Sequence, residues 1–234
     1  MDAFKSKLFT NISHEFRTPL TVIQGLSKSL AKRSQNYTDE STLKSIHNNA
    51  YLLNEQLDQL LTLSALDKDS LEFSYINDNI VSFIKNICDF FKSFAESKHQ
   101  EIELKSVKAT ISMDFDPEKI RIIIQNIISN AIKFNPSKSK IKVDLKLENQ
   151  QLLIAIEDQG KGISKENLEK IFNRFYTTKD KNNREGTGIG LALVKELVEK
   201  ANGAIDVKST VNKGTTFYIK LPITQLAEKR TATS

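Results

Sequence analysis

A single cysteine, Cys88, among 234 residues excludes an internal disulfide framework and a cysteine-based zinc site. It falls on the apolar stripe of Ile84-Lys85-Asn86-Ile87-Cys88-Asp89-Phe90-Phe91, a predicted helix, and so reads as core rather than as a reactive thiol. Long apolar runs are also missing. None approaches the roughly 20 residues needed to span a bilayer, and the N-terminal sequence carries no signal-peptide pattern, so a soluble segment without membrane contact is expected. Dense basic runs are absent as well: a net charge of +5 is spread through both halves, which points away from a nucleic-acid footprint. With 39% hydrophobic residues, the length suits one large or two small domains. Glycine is scarce, but five of the eight glycines lie between Gly160 and Gly190.

From about Lys5 to Arg33 the pattern is that of one long helix. At about 100° per residue Phe9, Ile12, Phe16, Leu20, Ile23 and Leu30 fall on one stripe. His14 and Thr18 point the opposite way, so a histidine with a carboxylate neighbour, Glu15, faces solvent. Pro19 removes the hydrogen bond to the Glu15 carbonyl and predicts a kink one turn from that histidine. After a polar turn at Ser34 to Glu40, Leu43, Ile46, Ala50, Leu53, Leu57, Leu60 and Ser64 repeat at spacings of three and four, a heptad seam. Two helices joined this way form a hairpin too thin to bury its own stripe. Pairing two hairpins into a dimeric four-helix bundle solves that.

Beyond Asp69 the period changes. Leu71 to Tyr75 alternates like a strand, Asn79 to His99 reads as a helix, and Ile102–Lys105 and Ile111–Phe115 as short strands. Asp116 and Pro117 supply an N-cap and first position for a helix through Phe134. Strands follow at Ile141–Leu147, Leu152–Glu157, Ala204–Val207 and Thr216–Leu221, with a helix ending near Asn202-Gly203 before the last two. Paired strands with intervening helices give an α/β sandwich, so the whole chain is of α+β class.

Three segments in this second part point to phosphate chemistry. Gly160 and Gly162 follow a buried strand in Glu157-Asp158-Gln159-Gly160-Lys161-Gly162, and Gly186-Thr187-Gly188-Ile189-Gly190-Leu191 opens a helix. Clustered glycines mark close backbone approach, and a helix N-terminus offers free N–H groups and the positive dipole end to a polyphosphate. In the third segment Asn126, Asn130 and Lys133 lie within about 60° of one another on the helical projection. Asparagine is a poor residue for a helix interior, so the row suggests an amide oxygen for a magnesium ion and an ammonium for a phosphate.

Together with Ile171-Phe172-Asn173-Arg174-Phe175-Tyr176-Thr177-Thr178-Lys179, these segments resemble the H, N, G1, F and G2 boxes of bacterial two-component sensor histidine kinases, in that family's order. Lys213-Gly214-Thr215-Thr216-Phe217 resembles the family's closing glycine turn. The resemblance implies a catalytic core: residues 1–68 a dimerisation and phospho-acceptor domain, 69–224 an ATP-binding domain of the type shared with DNA gyrase and MutL, and 225–234 a polar tail. It implies ATP and Mg2+ as cofactors, a homodimer, and a response-regulator receiver domain as partner. It also implies a cytoplasmic location, as the cytoplasmic part of an inner-membrane receptor or as a protein whose input comes from a partner.

Residue by residue, the resemblance makes His14 the nucleophile, Glu15 its general base, and Thr18 a residue for dephosphorylating the regulator. Asp158 becomes the acceptor of the adenine amino group and Asn130 the magnesium ligand. Asn126, Lys133, Phe134, Gly160, Gly162, Thr187, Gly188, Gly190 and Leu191 line the nucleotide. Gln159 to Glu185 would be a mobile lid. Where many family members carry an arginine after the Phe-Tyr pair, this chain has Thr177, and Lys179 is expected to take the cationic role. The alternatives are a degenerate kinase acting as an ATP-binding dimeric scaffold, and a conformational ATPase like gyrase.

Overall fold

The computed structural model describes residues 20–26, 46, 50, 53, 59, 62–63, 66, 71–177 and 188–224. The chain divides into two compact units, Met1–Leu71 with Phe175–Ile189, and Glu72–Arg174 with Gly190–Ser234. In the first unit residues 20–26 are helical, as are Ile46, Ala50 and Leu53 of the predicted seam, all three half-buried. Leu63 and Leu66 are buried. No described helix is long and apolar enough to cross a membrane.

The second unit runs β1 (Ile76–Asn79), α1 (Ile80–Ser97), β2 (Glu101–Ser106), β3 (Ser112–Phe115), α2 (Pro117–Phe134), β4 (Lys140–Glu148), β5 (Gln151–Glu157), α3 (Lys165–Leu168), α4 (Gly190–Lys200), β6 (Ala204–Thr210) and β7 (Gly214–Pro222). Five strands form one sheet in the order β2-β4-β5-β7-β6, and β1 with β3 makes a separate ribbon. Only β2 and β4 run parallel; the other neighbours are antiparallel.

Alternation decides which side of the sheet is covered. Ile141, Val143 and Leu145 of β4, Leu152, Ile154 and Ile156 of β5, and Phe217, Ile219 and Leu221 of β7 are all buried. The register aligns them across the sheet, Val143 opposite Ile156 and Ile156 opposite Phe217, so they form one continuous apolar face. Helices cover it. α1 turns Ile80, Ile84, Ile87, Cys88, Phe91 and Ala95 inward at helical spacing, and Cys88 is core, its thiol pushed up to about 12 chiefly by burial. α2 packs against α1, α4 and the sheet, which explains why isoleucines 122, 123, 124, 127 and 128 are all buried rather than one stripe of them. Each such side chain contributes about 1.5–3 kcal/mol of transfer free energy.

The N-terminus of α2 forms as the sequence predicts: Asp116 caps it through Oδ1, accepting from Glu118 N–H at 2.9 Å and Lys119 N–H at 3.1 Å, with Pro117 at the first position. Leu71 to Tyr75 is different. Its burial alternates, Phe73 and Tyr75 half-buried around an exposed Ser74, but it belongs to no sheet. The ladder to β3 begins only at Ile76, opposite Phe115; before it the chain is held by side chains, and alternation alone cannot tell the two cases apart.

Candidate nucleotide site

Asp158 follows the last residue of β5, and its Oδ1 accepts two backbone N–H groups, from Gly160 at 2.8 Å and from Thr215 at 3.1 Å. Its own N–H donates to the Thr215 carbonyl at 2.8 Å. These bonds commit one carboxylate oxygen to the loop and leave Oδ2 as the open acceptor. Burial raises the Asp158 carboxyl above its ordinary range, the neighbouring Glu157 charge adds to this, and the two N–H donors oppose it. A partly desolvated carboxylate with one oxygen held and the other open suits recognition of an N–H donor.

The glycines around it serve the protein's own backbone. A Cβ on Gly160 would lie 2.9 Å from Asp158 Oδ1 and 3.0 Å from the Phe134 carbonyl oxygen. Gly162 has φ of 65° and sits against the Thr210 carbonyl, leaving no room for a side chain. The clustering packs loop on loop and so shapes the Asp158 turn.

Along α2 the predicted row of Asn126, Asn130 and Lys133 separates. Asn126 is buried, donates from Nδ2 to the Ile122 carbonyl at 2.7 Å, and places Oδ1 against Gly190. It is therefore a spacer between α2 and α4 rather than part of a wet face, because α2 is covered on this side too. Asn130 is half-exposed, and among the described residues its amide has no hydrogen-bond partner. Lys133 stands 5.4 Å from the Phe134 ring centroid and Lys161 4.8 Å from it, so two ammonium groups lie by one half-exposed aromatic ring.

Gly190 opens α4 and Leu191 follows it, half-buried. In the other unit Gly188, with φ of 68°, accepts a 2.7 Å hydrogen bond at its carbonyl from Phe175 N–H. Of the predicted lid, Gln159 to Glu185, residues 178–185 lie outside the described residues, and the earlier part is tied down. Ile163 N–H donates to Ser209 Oγ at 2.8 Å, Asn212 N–H to the Lys161 carbonyl at 2.8 Å, and Arg174 pairs with Glu196. These contacts anchor the portion up to Arg174. His14, Glu15, Thr18, Lys179 and Thr187 lie outside the described residues.

Two anchors escaped the sequence reading. Asn135 Oδ1 accepts from Gln159 N–H at 2.8 Å while Gln159 Oε1 accepts from Lys140 N–H at 2.8 Å, tying the end of α2 to the Asp158 loop. An asparagine just after a helix and just before Pro136 was the available signal. The Arg174–Glu196 pair spans 22 residues and left none.

Residues 4–69 match the model of the His Kinase A phospho-acceptor domain, and residues 115–225 that of the histidine kinase-, DNA gyrase B- and HSP90-like ATPases. The sensor histidine kinase WalK of Bacillus subtilis is 33% identical over 228 residues, covering 95% of this chain and 37% of WalK. The chain thus spans well under half the length of the curated relatives it matches. Among solved structures, the Acinetobacter baumannii histidine kinase AdeS aligns at a TM-score of 0.63 and 25% identity, over 90% of this chain and 98% of that one. The histidine kinase ThkA, solved in complex with the response regulator protein TrrA, shares the fold at a TM-score of 0.59 and 21% identity, over 92% and 60% of the respective chains. The ATPase match falls on the domain that holds Asp158 and Asn130 and implies ATP as its ligand. Two domain matches in series, with an alignment to WalK that covers 95% of this chain, place the chain in the sensor histidine kinases, as a segment that joins a phospho-acceptor domain to an ATPase domain.

Proposed function

We propose that this chain transfers the γ-phosphoryl group of ATP to His14 and from there to an aspartate on a response-regulator receiver domain, working as a homodimer through the Leu43 to Ser64 seam. The observation that carries the nucleotide half is the divided Asp158 carboxylate: Oδ1 is spent on Gly160 and Thr215, so Oδ2 is the oxygen that accepts the adenine amino group. Asn130, whose amide has no partner among the described residues, fits a magnesium ligand, whereas Asn126 does not. Among the described residues no three histidine, cysteine or carboxylate side chains cluster for a metal, so Asn130 would hold Mg2+ jointly with phosphate oxygens, the ion supplying charge neutralisation there. Lys133, Phe134, Gly190 and Leu191, in the same unit as Asp158, complete the nucleotide's surroundings, and Thr187 and Gly188 are assigned to it by the family resemblance alone.

At the acceptor, one imidazole nitrogen of His14 attacks the γ-phosphorus while the bond to the bridging oxygen breaks and ADP leaves. Glu15 holds the other ring N–H and takes its proton. Thr18, one turn on, positions water for removing phosphate from the regulator. The test is incubation with Mg-ATP. The chain should acquire an acid-labile, base-stable phosphoryl group, and His14→Gln should abolish it with ATP affinity retained. Label persisting on that variant, or appearing on Ser or Thr, contradicts the assignment. Thr18→Ala should lower phosphatase activity and leave kinase activity nearly intact.

A further inference from the structure

Asp116 does more than cap α2. Its Oδ1 takes the two helical N–H groups, while Oδ2 accepts a 2.8 Å hydrogen bond from the backbone N–H of Ser74, 42 residues earlier in the chain. Asp116 is buried, and Ser74 lies five residues past the end of the phospho-acceptor match at residue 69. On either side of Ser74 the rings of Phe73 and Tyr75 stack at 5.5 Å and 18°, and both line a cleft with Met113, Asp114, Asp116 and Lys119. The next fastening comes at Asn77, whose Nδ2 donates to Asp114 Oδ1 at 2.8 Å, just inside the β1–β3 ladder. Between residue 69 and that ladder, the Ser74 bond is the one backbone hydrogen bond among the described residues that fixes the chain's path.

We propose that Asp116 is a positioning residue for histidine phosphorylation: it straps the connecting segment to the N-terminus of the helix that carries Asn130 and so shortens the tether to the His14 hairpin. The inference rests on the function proposed above. Its physical basis is effective concentration. A tethered reaction depends on the length and freedom of its linker, and orientation contributes more than length alone. Releasing Ser74 frees the chain as far as Ile76, adding at most about 3.5 Å of reach per residue and a much wider range of approach angles. The strap also starts a covalent and hydrogen-bonded path that runs along α2 to Asn130.

The carboxylate is needed because both faces of the group must accept. Asparagine is as good an N-cap as aspartate, yet it has one oxygen: with Oδ1 toward Glu118 and Lys119 it turns an NH2 toward the Ser74 N–H. Serine caps equally well and has no second acceptor. Asp116→Asn and Asp116→Ser therefore break the strap while α2 keeps its cap.

In the full chain, amide hydrogen exchange at Ser74 should quicken at least about tenfold in both variants, with nucleotide affinity and the KM for ATP within about twofold of the parent. Phosphohistidine formation at saturating ATP should slow at least about threefold. Unchanged exchange would overturn the inference, since the bond then holds nothing. Faster exchange with a parent-like rate would also overturn it, as would a slower rate matched by a rise in KM, the mark of a distorted α2. A parent that forms no phosphohistidine brings down the underlying reading of function and this inference with it.

Discussion

Arg174 grips both carboxylate oxygens of Glu196 through one edge of its guanidinium, Nε to Oε1 at 2.7 Å and Nη2 to Oε2 at 2.8 Å. Two parallel charge-assisted bonds between groups only 29% and 28% exposed are stronger than an ordinary surface pair. They fasten the end of the Phe172–Arg174 segment to α4, beside the edge-on contact of Phe172 with Phe217 at 6.5 Å. Glu196→Gln keeps the shape and removes the charge. It should cost about 1 kcal/mol and lower the thermal midpoint by about 2–4 °C, read by calorimetry. An unchanged midpoint would show that the pair adds nothing to stability.

Gly190 and Asn126 make a second tight relationship, and it yields a sharper test. Asn126 Oδ1 occupies the space a Cβ at position 190 would need, and the bond from its Nδ2 to the Ile122 carbonyl keeps it from swinging aside. Gly190→Ala should therefore destabilise the domain by about 1–3 kcal/mol, the usual cost of overpacking, despite the better helix propensity of alanine. Adding Asn126→Ala should recover part of that loss, although Asn126→Ala alone is destabilising. Urea unfolding of the four proteins of this cycle measures the coupling. Additive effects would mean that the two residues do not meet.

For Asp158 the sign of the pH effect follows from its raised carboxyl. The folded state holds this proton more readily than the unfolded state does. The ionised carboxylate therefore costs stability at neutral pH; the cost builds as pH rises from the unfolded aspartate value of about 3.9 through the raised folded value, and vanishes below both. Asp158→Asn keeps an Oδ1 for Gly160 and Thr215 and removes the charge, so it should melt no lower than the parent at pH 7, with any gain shrinking toward pH 4. On the role proposed for Asp158, however, its Nδ2 sets a donor where the adenine amino group needs an acceptor. ATP affinity should fall at least about tenfold. Titration calorimetry with differential scanning separates the two effects, and a variant that loses stability and affinity together would point to a purely structural Asp158.

How much of this was legible in the sequence depends on how local each signal is. Asp116 and Pro117 announce the start of α2 within two residues, and the alternation in β4 and β5 fixes which side of the sheet is buried. Their turn at Asn149 and Gln150, both at positive φ (49° and 60°), is equally local. The burial of Asn126 was not legible, because a helical projection shows one face but not how many neighbours a helix has. Nor was the packing role of Gly160 and Gly162, since a glycine that admits a ligand and one that admits Thr210 read alike. Leu71 to Tyr75 misled for a related reason: half-burial on alternate residues does not require a partner strand.

The pairing of Arg174 also bears on where charge for phosphoryl transfer comes from. A guanidinium held by both oxygens of Glu196 is largely neutralised, which makes it a poor source of the cation that many family members place after the Phe-Tyr pair. Lys133 is present on α2, but its ammonium stands by the Phe134 ring. Lys179, four residues past Phe175 in the sequence, is the cation we propose for that role. A cation acting on charge that develops during transfer affects rate more than binding. Lys179→Ala should slow autophosphorylation at saturating ATP by at least about tenfold, with nucleotide affinity changed much less. Arg174→Ala should differ: its main effect should be the lower melting temperature expected of Glu196→Gln, with a smaller change in rate. A parent-like rate for Lys179→Ala together with a collapse for Arg174→Ala would reverse the assignment and make the Glu196 pair a resting arrangement that the reaction has to break.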